Sequence, residues 1–401
     1  MSRRPRPRTV TALVVASTLL LVGCGSPSPE VEREPRVVGE LLPAVDISEM
    51  RLPIPDEELR VVEPGWVTEP QYADGIYLGG AERDGVLEFT ALADTGEVLW
   101  SAQRPASCAG FVVTTDGAGR ALAVLTDTET TGEALAAVTA TAYELATGRR
   151  VWGPVEVSGP HQGPGLVFAA PPAGMMGETG PRTALDPGTG RVAVAETASG
   201  EVRLVGEYGG VVLTVESDAL VARATADDSE LWRVELADHG WGSSAVSASP
   251  EAPPAPGLVI LTVSDPADAR GVLIDLGSGA VLSESVTEVA VDATSGALVT
   301  LDGATLQAFD RDREALWSQT VAPGTTIAAL GGVLLYLREG DVLRVHNVIT
   351  GAVAEAYDPG REGAIVVPWQ IAPNGASVLV HDRGYLVATV YEPEGAGDAG
   401  L

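Results

Sequence analysis

The chain has 401 residues, 45% hydrophobic and 20% charged, with 55 acidic against 25 basic side chains and a net charge of −30. That balance excludes nucleic-acid binding, which needs cations to displace counterions from phosphate. Every basic residue is Arg, so Lys nucleophiles and Schiff bases are excluded. Two Cys cannot build a disulfide scaffold, and the apolar content is that of a globular protein.

The N-terminus reads as an export signal. Arg3, Arg4, Arg6 and Arg8 precede an apolar run from Val10 to Val22. That run is too short for a stable membrane span. Leu21-Val22-Gly23-Cys24 follows and resembles the lipobox of bacterial lipoproteins. The resemblance implies cleavage after Gly23 and acylation of Cys24, palmitate included. The expected place is the extracytoplasmic side of the cell membrane, within the cell envelope. An ordinary signal peptide with a chance Cys is the alternative. Loss of residues 1–23 removes four Arg and no acid, moving the net charge from −30 to −34. Such a body should stand off anionic headgroups. Residues 24–58 carry six Pro and a run of acids from Glu30, which predicts a lipidated Cys followed by a stiff, extended linker.

A repeat organises residues 59–392. Its elements are a short apolar run, an acid, a turn and, four residues after the turn, an anchor position. Ala91-Leu92-Ala93-Asp94-Thr95-Gly96 leads to Trp100, and Ala142-Tyr143-Glu144 with Thr147-Gly148 leads to Trp152. Ala184-Leu185-Asp186 with Thr189-Gly190 leads to Val194, and Ala222-Arg223-Ala224 with Asp227-Asp228 to Trp232. Three further copies end at Ser283, Trp317 and Glu355. The anchors recur 34 to 52 residues apart, the period of one four-stranded propeller blade. Each copy predicts two strands joined by a tight turn. Apolar runs such as Leu258–Leu261 and Val333–Tyr336 predict buried strands upstream.

This motif resembles the repeat of quinoprotein-like (PQQ-like) β-propellers. The fold expectation is all-β: an eight-bladed β-propeller of four-stranded antiparallel blades, with seven blades as the alternative. Leu59–Val62 has no partner of its own and is expected to close the eighth blade as its outer strand. Closure would remove exposed strand edges. Residues 393–401 read as a disordered tail.

The repeat Trp are expected to wedge between blades. Trp66, Trp241 and Trp369 lie off the repeat, with Cys108, His161, His239 and Arg361, in or near connections that enter a blade. Such connections share one face, so these seven residues form a candidate ligand or partner site. The alternative is scattered loop packing. Cys108 is an unpaired thiol once Cys24 is acylated. The four His show no metal-ligand spacing, and no Gly-x-Ser-x-Gly, phosphate or calcium loop occurs.

The quinoprotein resemblance offers PQQ with calcium as a cofactor, but the adjacent Cys pair of those enzymes is missing. The same repeat occurs in envelope lipoproteins that bind other proteins. Two functions follow. One is a membrane-anchored, non-enzymatic platform for a protein or small ligand. The other is a quinoprotein-type oxidoreductase with its site in the central funnel.

Overall fold

A computed structural model describes residues 31–106, 110–129, 137–170, 180–196, 200–249, 253–264, 269–382 and 384–390. Cys24, the signal segment, Cys108 and the tail 393–401 lie outside them.

Eight antiparallel blades form a ring. Blade 1 holds strands Gln71–Ala73, Ile76–Arg83, Val86–Ala93 and Glu97–Pro105, paired in that order. Blade 2 spans Phe111–Thr115 to Arg150–Val157, blade 4 Val202–Tyr208 to Glu230–Glu235, blade 5 Val246–Ala248 to Val281–Val286, and blade 6 Glu288–Val291 to Ala315–Thr320. First strands of neighbouring blades pack side by side, which puts them around the axis.

Blades 3 and 7 are trimmed. In blade 3 the first strand shrinks to one bridge, His161 to Phe168, before Val167–Ala169, Arg182–Leu185 and Val192–Ala195. In blade 7 the fourth strand shrinks to the bridge His346 to Val353, after Thr326–Gly331, Leu334–Glu339 and Val342–Asn347. Blade 8 contains Val367–Ile371, Ser377–His381 and Gly384–Thr389, and Arg60–Val62 closes it from the other end of the chain. The register is Arg60 to Thr389 and Val62 to Val387. The ring therefore has eight blades, and the N-terminal strand closes it as expected.

The motif's chemistry lies between blades. Trp100 donates its indole N–H to the Leu145 carbonyl of the next blade at 2.7 Å. Trp152 does so to Pro187, Trp232 to Leu276 and Trp317 to Val348, at 2.6 to 2.7 Å. In each case the acceptor stands three residues before a turn glycine, and the indole lies against that glycine. A Cβ on Gly148, Gly190, Gly279 or Gly351 would come within 2.5 to 3.0 Å of the ring. These glycines also have positive φ, a second reason for the absent side chain. Opposite each Trp on its own sheet sits an alanine: Ala91, Ala142, Ala222 and Ala308, each fully buried. The small residue makes room for the large one.

The linker expectation needs correction over residues 31–58. Arg36–Leu41 pairs with Glu97–Pro105 as a fifth strand on blade 1. Ala44 bridges Val62, and Met50–Arg51 pairs in parallel with Ala364–Ile365. The Ile54 N–H donates to the Ala356 carbonyl, at the edge where blade 7 lacks a full strand. Arg33 pairs with Asp127 and Glu34 with Arg150, both on blade 2. Residues 31–58 thus run as a belt along the outer edges of blades 2, 1, 8 and 7. The prolines and acids suggested solvation, but Val38, Leu42, Val45, Ile47 and Leu52 pack into the core, and hydrophobic burial decides.

Candidate functional site

In a four-stranded antiparallel blade, the connection into the first strand and the loop between the second and third strands share one face. The turns of the repeat motif, between third and fourth strands, occupy the other. The residues predicted for a site lie on the first face, but the structure disperses most of them.

Trp66 is 1% exposed and packs with Val62, Tyr77 and Val378, where blade 8 meets blade 1. Its ring lies so close to Gly79 that a Cβ there would approach to 2.5 Å. Trp241 is 5% exposed and sits in the core shared by blades 4 and 5. His239 stacks on Trp241 with ring centroids 4.6 Å apart and bonds Glu284 at 2.9 Å. Arg361 is engaged by the belt: it pairs with Glu57 at 3.4 Å and donates to the Ile47 carbonyl at 3.2 Å. His161 bonds the Gly165 carbonyl at 2.7 Å and meets Phe168 edge-on. Crowding around its ring lowers its pKa below the ordinary imidazole value, although an edge stays open to solvent. Trp369 is 42% exposed, at a bulge in the first strand of blade 8. Of these residues, His239 and Trp241 touch. Trp66, Trp241 and Arg361 serve packing, and Trp369 and His161 remain at the surface.

A cavity of about 600 Å³ opens on the same face between blades 3 and 4. Gln162 and Gly163 from the connection into blade 3 form one wall. Arg182, at the start of a blade 3 strand, lines it with Gly180, Pro181, Glu196, Gly200, Val202 and Arg203. Arg182 binds Glu196 through Nε at 3.2 Å and Nη2 at 2.8 Å. Burial works to raise the Glu196 carboxyl. Arg182 and the N–H groups of Arg182 and Leu204 outweigh it and hold the group below the carboxylate range. Arg203 donates Nη2 to the Ser243 carbonyl at 2.5 Å. Burial, then repulsion from Arg182, lowers its pKa. The cavity therefore holds permanent charges: two guanidiniums and one ionised carboxylate. None is poised to exchange a proton near neutral pH.

Sequence reasoning missed Arg182, Glu196 and Arg203. One signal was available. Arg203 stands beside Leu204 and Val205 in a first strand, Val202–Tyr208, of a chain with few cations.

Two of the buried acids outside the cavity are pushed up by burial. Burial pushes Asp56 up to about 6, against the Ser377 hydroxyl it accepts at 2.9 Å. Burial pushes Glu207 up to about 7, against N–H donors from Gly210 and Leu166. Both folded values exceed the unfolded ones, so folding favours the protonated forms. Their stabilisation is complete below pH of about 4 and is lost as pH rises through about 6 and about 7, at roughly 3 kcal/mol each. Urea unfolding should therefore show lower stability at pH 7.5 than at pH 4.5. Asp56→Asn should shrink that difference by about 2 kcal/mol. An unchanged pH slope in this variant would remove Asp56 as the cause.

No protein-family model and no curated protein matches the sequence. Solved structures similar to it include BamB from Moraxella catarrhalis, at 15% identity, 82% of this chain, 98% of that chain and a TM-score of 0.42. Apo AztD from Citrobacter koseri matches at 12% identity over 74% of this chain and 88% of that chain, with a TM-score of 0.38. Sqt1 from Saccharomyces cerevisiae matches at 11% identity over 90% and 100%, with a TM-score of 0.36. Likeness at this level carries no argument about function.

Proposed function

We propose that this chain is a lipid-anchored, extracytoplasmic β-propeller that binds a ligand or partner and does not transform it. The observation that carries the reading is the cavity between blades 3 and 4. It is walled by loops and strand ends of the two blades, and its charged groups are two guanidiniums and a carboxylate held ionised by one of them. Such groups recognise charge but supply neither a nucleophile nor an acid–base pair. The lipobox at Leu21–Cys24 supports the anchor. One acyl chain alone binds marginally, so stable anchoring requires more than one.

PQQ with calcium does not fit the residues present. Cys24 and Cys108 are not adjacent, and no three His, Cys, Asp or Glu cluster as metal ligands among the described residues.

Two measurements test the proposal. Cys24→Ser should abolish incorporation of labelled palmitate and move the protein from the membrane fraction to the soluble one. Retention in the membrane would refute the anchor. A photo-crosslinker at Gln162 should capture one discrete species in cells. Substrate turnover by the purified protein, lost on substitution of cavity residues, would overturn the non-enzymatic reading.

A further inference from the structure

We propose that the cavity between blades 3 and 4 binds a small organic carboxylate, with Arg203 as its principal ligand and Arg182 behind it. The inference deepens the binding reading above and does not depend on the anchor.

The chain carries a net charge of −30, yet this cavity collects two cations and one anion. Those charges are not equally available. Arg182 is engaged: it bonds Glu196 twice and also donates to the Leu204 carbonyl. Glu196 in turn accepts the Arg182 and Leu204 backbone N–H groups at 2.9 and 2.8 Å. That pair is closed on itself.

Arg203 is different. It is half-buried, and among the described residues its bond is to one neutral carbonyl, that of Ser243. No carboxylate lies within 4.0 Å of it among the described residues. A guanidinium has five N–H donors, so most of its fork remains open. A partly desolvated cation without a counter-ion is costly, and an incoming anion relieves that cost.

The walls permit close approach. Gly163 has φ of +134°, and a Cβ on Gly200 would meet nothing within 4 Å. The volume of about 600 Å³ suits a small molecule.

Charge count selects the ligand. After the Arg182–Glu196 pair cancels, one positive charge remains, matching one carboxylate. The planar fork of Arg203 fits a carboxylate in bidentate fashion. A phosphate dianion would exceed that charge and face the ionised Glu196 across the same cavity.

The test uses the full-length protein. Acetate, succinate, citrate and inorganic phosphate are titrated at constant ionic strength, with sodium chloride as control, and Tm and binding heat are read. The expected result is saturable, sub-millimolar binding of at least one carboxylate. Arg203→Gln should weaken it at least tenfold, and Arg203→Lys should weaken it less. Gln162→Glu, at the exposed rim, should weaken it without disturbing a buried group. Absence of saturable carboxylate binding overturns the proposal, as does wild-type affinity in Arg203→Gln. Phosphate binding more tightly than every carboxylate also overturns it. None of these outcomes touches the fractionation of Cys24→Ser.

Discussion

Trp100→Ala will lower the free energy of unfolding by about 3–5 kcal/mol, read by urea denaturation. Trp100 is fully buried and fills the space between blades 1 and 2. Its removal leaves a cavity, because Gly148 and Ala91 have no side-chain bulk with which to refill it. It also strands the Leu145 carbonyl, which accepts the indole N–H at 2.7 Å. A buried acceptor left without its donor adds to the loss. Trp100→Phe should recover part of the packing but none of this hydrogen bond. A loss below about 1 kcal/mol would mean that the indole is not the wedge between these blades.

Leu52→Ala will cost about 2–5 kcal/mol. This position separates two views of the N-terminal segment. In a flexible linker, truncating one exposed leucine would change almost nothing. Here Leu52 is fully buried against Val61, Val366 and Leu379, beneath the closure of blade 8. Its loss should loosen the belt and the closing strand together. Hydrogen exchange should accelerate in Arg60–Val62 and Gly384–Thr389 before blades 3 to 6. Uniform acceleration around the ring would show instead that closure and core open as one unit.

The fold was legible because its repeat is chemical as well as numerical. Six of the seven anchor positions have a cross-strand partner in the preceding strand of the motif, Ala91 to Trp100 through Ala308 to Trp317. Less legible was the direction of the Trp–Gly relation. Within one repeat, Trp232 and Trp317 follow turns that lack glycine, so those copies look degenerate. The glycine each needs belongs to the next blade, at Gly279 and Gly351. Conversely, Val194 and Ser283 precede blades whose turns carry Asp228 and Arg313 at the equivalent place, and no indole has to be admitted there.

The site was less legible than the fold. Gln162, Arg182, Glu196 and Arg203 converge through loops and strand ends of two blades, and no local spacing announces that meeting. Trp66 and Trp241 attracted attention as off-repeat aromatics, but sequence cannot distinguish an indole that seals a core from one that faces a ligand. Both seal cores. The belt was obscured by its own prolines and acids, most of which lie at least partly exposed while Leu52 and its apolar neighbours pack inward.

The belt also sets the length of the leash. Among the described residues its first attachment is Glu32, whose carbonyl accepts the Gln103 N–H on blade 1 at 2.8 Å. From an acylated Cys24 to that first attachment the chain spans eight residues, at most about 29 Å when fully extended. A free segment reaching to residue 59 would have allowed roughly four times that distance. With the anchor proposed above, that tether would hold the rim of blades 1 and 2 within about 29 Å of the bilayer surface.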